Sequence, residues 1–109
     1  MMPIAAYVAS DLHRAQVETL SGLVVLQFGT NWCGYCQNAH AVIEPVMALH
    51  PEMQRYLVED GPGRPLGRAY RIKQWPTLVL LRDGVELGRL VRPQAALQTE
   101  DWLKAAIKP

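Results

Sequence analysis

Leu23-Val24-Val25-Leu26-Gln27-Phe28-Gly29-Thr30-Asn31-Trp32-Cys33-Gly34-Tyr35-Cys36 holds both cysteines of the 109-residue chain. An apolar run leads into the pair, and a stretch of helical periodicity leaves it. Strand, short turn, Cys-x-x-Cys and helix together make the pair chemical, because two intervening residues let the second thiol curl back onto the first across one helical turn. In that setting the spacing points to a dithiol that opens and closes. A helix starting at about Gly34 puts Cys33 at its N-terminal edge, where unpaired N–H groups and the positive end of the macrodipole favour an anion. A free thiol titrates near pH ~8.5 and a helix N-terminus lowers that value, so Cys33 is the expected nucleophile. Cys36, one turn further in, is the more shielded thiol and suits a resolving role. Two structural alternatives compete. A static disulfide would close too small a ring to remove much chain entropy. Half of a zinc site would need about four ligands, with only His13, His40 and His50 to add to the thiols.

Working outward, the Leu23–Gly29 run is continuously apolar instead of alternating, which predicts a strand buried on both faces. Beyond the cysteines, Ala39, Val42, Val46 and Leu49, joined by Ile43 and Met47, form a wide apolar stripe on a helix that Pro51 ends near His50. Pro45 lies opposite the stripe and should bend the helix on its solvent side, losing the bond to Ala41. His40 falls one turn after Cys36 on the flank of the stripe, with Glu44 following at i+4. Upstream, Ile4–Val8 reads as a short edge strand, and Ser10 or Asp11 caps a helix over 11–20 that Gly22 stops. Downstream come a strand over Met53–Val58, a Gly/Pro loop over 59–65, a short helix to about Tyr70, and a strand over Thr77–Leu81. An Asp83-Gly84 turn, a partner strand over Val85–Val91 and a last amphipathic helix capped near Thr99 complete the chain. The order β-α-β-α-β-α-β-β-α predicts an α/β fold, with a mixed central sheet covered by helices on both faces.

Length and composition set the outer bounds. The chain has the size of a single domain, residues 1–109, and half of it is hydrophobic, which excludes disorder. A formal charge of +1 without runs of one sign gives no ground for nucleic-acid or polybasic membrane binding. The longest apolar stretches fall far short of the ~20 residues a membrane helix requires. The N-terminus has neither a basic n-region nor a long apolar h-region, so the expected compartment is the cytoplasm, although a chain starting after a removed signal would look the same.

With these pieces placed, the sequence resembles the thioredoxin family over nearly its whole length. The resemblance rests on the strand ending in Phe28, Trp32-Cys33-Gly34-Tyr35-Cys36, Tyr70-Arg71-Ile72-Lys73-Gln74-Trp75-Pro76-Thr77, and the hairpin through Val91. It implies the thioredoxin fold, Cys33 as attacking and Cys36 as resolving thiol, and Pro76 as the family's cis-proline facing them. The backbone of Trp75 would then pair with an extended substrate strand. Trp32, Gly34, Tyr35, Trp75, Pro76 and Arg92 would line the substrate groove. The resemblance implies a protein-disulfide oxidoreductase working as a monomer on protein disulfides with a thiol/disulfide electron donor, and no cofactor or metal.

Three departures from the family's pattern stand out. Tyr35 occupies the place of a proline in thioredoxins themselves, so Cys-Gly-Tyr-Cys resembles bacterial disulfide isomerases and suggests a more oxidising centre. Gln27 stands where thioredoxins bury an aspartate that deprotonates the resolving thiol, and an amide cannot take that proton. His40, held by Glu44, is the candidate substitute for proton transfer, and a half-exposed surface histidine is the bland alternative. Arg92 replaces a groove glycine and makes the rim bulkier and more positive, either selecting acidic partners or partly blocking the groove. Two other functions remain open at this level: an exported disulfide oxidase or isomerase, and a redox-regulated protein-binding module built on Trp75 and Arg92.

Overall fold

The computed structural model of the chain describes residues 6–108. Four strands, β1 (Leu23–Gly29), β2 (Gln54–Glu59), β3 (Thr77–Arg82) and β4 (Val85–Val91), form one sheet in the order β2-β1-β3-β4. β1 runs parallel to β2 and antiparallel to β3, and β3 pairs antiparallel with β4. The sheet is mixed, as expected. Four helices accompany it: α1 (Arg14–Val17), α2 (Gly34–Met47), α3 (Pro65–Ala69) and α4 (Ala96–Ile107).

The two faces follow from strand parity. Val25 of β1, with Leu78, Leu80 and Leu90, packs against Ala39, Ile43, Val46 and Met47 of α2 and Leu103 of α4. The alternate positions Val24, Leu26 and Phe28, with Val79 and Leu81, pack against Val17 of α1, Leu66 of α3 and Tyr70. The continuous apolar run of β1 is therefore buried on both sides, and its one polar member, Gln27, shares parity with Val25 and points towards α2.

Several boundaries differ from expectation, each for a local reason. The expected edge strand begins at Ile4, outside the described residues. Of its described part only Val8 joins the sheet, in a single parallel bridge to Val58. Val8 turns its N–H to the Leu57 carbonyl and its carbonyl to the Glu59 N–H, and Tyr7, facing the other way, is held by Asn31: the Tyr7 N–H donates to Asn31 Oδ1 at 2.8 Å and the Tyr7 carbonyl accepts from Asn31 Nδ2 at 3.1 Å. The helix expected over 11–20 shrinks to Arg14–Val17. Ser10 Oγ is spent on the Leu12 N–H at 3.1 Å, and the chain leaves the helix through i→i+3 bonds from Thr19 and Leu20.

α2 likewise stops at Met47, and Leu49 and His50 continue in i→i+3 turns. Leu49 leaves the apolar stripe and is 71% exposed. Pro45 faces solvent, as its position opposite the stripe requires. β2 is displaced by one residue, to Gln54–Glu59. α4 begins three residues before the expected cap. Thr99 is fully buried inside it, donating its hydroxyl to the Ala95 carbonyl at 3.1 Å, while Gln98 Oε1 accepts the free N–H of Gln94 at 2.8 Å.

Candidate active site

The C-terminal end of β1 and the first turn of α2 set the two thiols. Cys33 is the N-cap of α2, in extended conformation (φ −79°, ψ 122°), and its Sγ accepts the Cys36 backbone N–H at 3.3 Å. A sulfur thus takes the capping place usually held by an oxygen, and meets one of the N–H groups a helix start leaves unpaired. Both cysteines are free thiols and both are buried, Cys33 to 7% exposure and Cys36 to 1%. Burial pushes the Cys36 thiol up to about 11. Cys33, as hydrogen-bond partner and neighbouring charge, adds to that rise, while the Thr30 backbone and the Tyr7 side chain oppose it. Cys36 therefore stays a protonated thiol at neutral pH.

Around this pair the rim is aromatic. Trp32 and Tyr35 are 76% and 58% exposed, and Trp32 meets Trp75 edge to face at 5.8 Å between ring centroids. Trp75 is fixed from behind by its indole N–H, which donates to Asp60 Oδ2 at 2.8 Å. The Trp75–Pro76 peptide bond is cis. Arg92 bridges Tyr35 and Trp75: its guanidinium stacks over the Tyr35 ring at 3.8 Å, and its Nε donates to the Trp75 carbonyl at 2.8 Å. Arg92 holds a left-handed backbone (φ 47°), the conformation that glycine adopts most readily.

Beneath the thiols lies a polar chain that sequence reasoning did not find. Tyr7, Cys33 and Cys36 form a buried cluster with Leu57 and Trp75 at its edge. Gln27 Nε2 donates to the Tyr7 hydroxyl oxygen at 2.7 Å, and Gln27 Oε1 accepts from Arg55 Nη2 at 2.6 Å. Both terminal Arg55 nitrogens, Nη1 and Nη2, donate to Glu44, Nη1 at 2.9 Å. His40 Nδ1 stands 3.6 Å from Glu44 Oε1, and the His40 ring is 6.5 Å from that of Tyr7. Among the described residues the one hydrogen bond to a cysteine sulfur is that of the Cys36 N–H, and the tyrosine packed with both cysteines in the buried cluster is Tyr7. Cys33, Cys36 and His40 do not come together among those residues as a metal-ligand cluster. Gly29 makes room for the arrangement: a Cβ at that position would lie 2.7 Å from both Cys36 Sγ and Tyr7 Cζ.

Burial pushes the Glu44 carboxyl up, but the Arg55 hydrogen bonds and charge, with His40 adding to them, hold it below the usual carboxylate range. A carboxyl depressed on folding binds its proton less readily in the folded than in the unfolded chain. Its contribution to stability is thus complete above the unfolded value, about 4.3, and is lost as pH falls through the lower folded value. Glu44→Gln is expected to flatten the loss of stability below pH about 4.3, read from urea midpoints across the acid range. Parallel curves for parent and variant would contradict this.

The family model for thioredoxin matches residues 5–107. The chain belongs to the thioredoxin family. Among solved structures, thioredoxin 2 from Pseudomonas aeruginosa PAO1 in its reduced form is 42% identical, superposes with a TM-score of 0.84, and is covered to 94% along with 94% of this chain. The thioredoxin of Chlamydia trachomatis is 38% identical over 72 residues, which span 65% of this chain and 70% of that protein. A protein disulfide-isomerase A2 from Pongo abelii is 26% identical over 92 residues, spanning 79% of this chain and 18% of that protein.

As a thioredoxin-family member the chain is a protein-disulfide oxidoreductase with the thioredoxin fold. Among the described residues no helix is long and apolar enough to cross a membrane. Tyr7, Asn31, Arg55 and Asp60 are the side chains around the cysteines that the sequence reading missed. For Arg55 a signal existed. It pairs in register with Val25, two residues from Gln27 on the same face of the sheet, so an arginine and a glutamine share an inward position among apolar neighbours, and each needs a partner there.

Proposed function

We propose that the chain transfers two electrons to a protein disulfide through a mixed disulfide on Cys33 that Cys36 resolves. The Cys33 sulfur attacks one sulfur of the substrate disulfide and expels the other as a thiolate. Cys36 then loses its proton, to water or to the thiolate already released, and attacks the Cys33 sulfur, releasing the second substrate sulfur as a thiolate. The substrate is reduced, the Cys33–Cys36 disulfide forms, and an external dithiol donor restores it.

The observation that carries this reading is the asymmetry of the pair: Cys33 Sγ caps α2 and accepts the Cys36 N–H, while Cys36 lies almost wholly buried below it. Cys33 is the outer sulfur, at the mouth of the helix, and burial keeps Cys36 protonated until the mixed disulfide forms. The Trp32–Trp75 pair, Gly34, Tyr35, Pro76 and Arg92 are the substrate groove in this proposal, with Arg92 as the positive group at its rim. In a compartment buffered by glutathione the net direction is reduction of the substrate.

Cys36→Ser, incubated with an oxidised protein substrate, is expected to accumulate an adduct on Cys33 that mass spectrometry locates by peptide mapping. Equal accumulation on Cys36 in the converse Cys33→Ser variant would overturn the role assignment.

A further inference from the structure

The chain Arg55–Gln27–Tyr7 has a direction that the donor inventory fixes. A guanidinium carries only donors, so the Gln27 atom facing Arg55 Nη2 at 2.6 Å is the carbonyl oxygen. That leaves the Gln27 amide nitrogen to donate to the Tyr7 oxygen at 2.7 Å. The Tyr7 hydroxyl hydrogen must then point away from Gln27. Cys36 lies beside that hydroxyl: Cys36 Sγ and Tyr7 Cζ, the ring carbon that bears the oxygen, each fall 2.7 Å from the point a Cβ on Gly29 would occupy, and no side chain from Gly29 separates them. All three groups are buried, Tyr7 to 3% exposure, Gln27 to 0% and Cys36 to 1%. The two Asn31 bonds hold the Tyr7 backbone, and Glu44 holds Arg55, so the direction is built in at both ends.

We propose that Tyr7 is a catalytic hydrogen-bond donor of the resolving step, its hydroxyl hydrogen stabilising the Cys36 thiolate as that thiolate forms and attacks the Cys33 sulfur. Gln27 and Arg55 are positioning residues that keep the hydroxyl turned to sulfur. The proposal rests on the roles assigned above to Cys33 and Cys36. No proton travels down the chain, because Gln27 offers Tyr7 a donor and not an acceptor. The Cys36 proton instead passes to water or to the thiolate the substrate released in the first step. The bond formed is Cys33–Cys36, the bond broken is Cys33–substrate, and the electron pair leaves on the substrate sulfur.

The test uses an aryl disulfide whose released arylthiolate absorbs visible light, mixed in excess with the reduced full chain. Attack by Cys33 releases one arylthiolate and resolution by Cys36 releases a second, so the two steps are timed separately. A hydrogen bond to a charged acceptor is among the stronger ones. Tyr7→Phe is therefore expected to slow the second release by about tenfold to a hundredfold and to leave the first unchanged. Gln27→Glu supplies the second variant. Its carboxylate can only accept, which turns the Tyr7 hydrogen away from Cys36, so the second release should slow as well, and this slowing should vanish in the Tyr7→Phe background. An unchanged second release in Tyr7→Phe, an equal slowing of both releases, or an acceleration by Gln27→Glu would each overturn the proposal. A second release that persists in Cys36→Ser would overturn the assignment of the resolving thiol instead.

Discussion

Replacing Cys33 by serine is expected to lower the reduction of a protein disulfide by about a thousandfold or more. The oxygen of serine cannot enter a disulfide, and the chain has only one other sulfur of this kind, Cys36, which lies 1% exposed below the surface. The fold should survive the change. Cys33 is the N-cap of α2, and serine is among the residues that cap helices best, its hydroxyl accepting the same N–H that Cys33 Sγ accepts from Cys36. The loss would therefore be chemical. An insulin-reduction assay beside a thermal melt separates the two effects. Turnover above about one part in a hundred with an unchanged melting temperature would mean that Cys33 is not the attacking sulfur.

The largest effect on stability is expected at Phe28, and it is expected to exceed anything the exposed positions can produce. Its side chain is wholly buried between β1 and the α1–α3 face and meets the Tyr70 ring at 6.1 Å. Phe28→Ala removes the ring and leaves a cavity that neighbouring Leu26, Leu66 and Val79 cannot close by themselves, a change that costs about 3–5 kcal/mol. For a chain of this size that is a fall in melting temperature of roughly 10–20 °C. The urea midpoint should drop with little change in slope. Leu49→Ala, at a site 71% exposed, serves as the matched control and should stay within about 0.5 kcal/mol. A Phe28→Ala midpoint no lower than that of the control would show that the ring is not part of the core.

These two positions also mark what the amino-acid pattern reveals and what it hides. Phe28 and Cys33 were legible because their signals are local: an unbroken apolar run, a two-residue spacing between thiols, and helical periodicity directly after it. Two strand pairings followed from the same logic, since the Asp83-Gly84 turn joins β3 to β4 and the helical crossover makes β1 and β2 parallel, whereas the antiparallel place of β3 beside β1 has no such local signal. Local signals also misled. Ser10 and Asp11 looked like a helix cap, yet the Ser10 hydroxyl closes a turn of its own on Leu12. Thr99 looked like another, yet it sits buried within α4. Leu49 continued the spacing of the apolar stripe but falls beyond the helix that would have turned it inward.

The site beneath the thiols was hidden because its members are far apart along the chain. Tyr7 comes from the segment before α1, Gln27 from β1, Glu44 from α2 and Arg55 from β2, and only the sheet brings them together. Gln27 was recognised as an oddity without its partners. Reading it as a gap to be filled by a nearby histidine was natural along the helix, where His40 and Glu44 are neighbours. In space, Glu44 is engaged mainly by Arg55, and the position next to Cys36 belongs to a tyrosine twenty residues before Gln27.

The empty place at Gly29 reaches beyond this one chain. A phenol ring and a thiol converge on a point where any other amino acid would put a carbon, so the tyrosine and its sulfur are compatible only with a backbone that carries a hydrogen there. Grafting the dithiol into a different scaffold with its flanking tryptophan and turn, but with alanine at this spot, would transplant the cysteines without their phenolic companion.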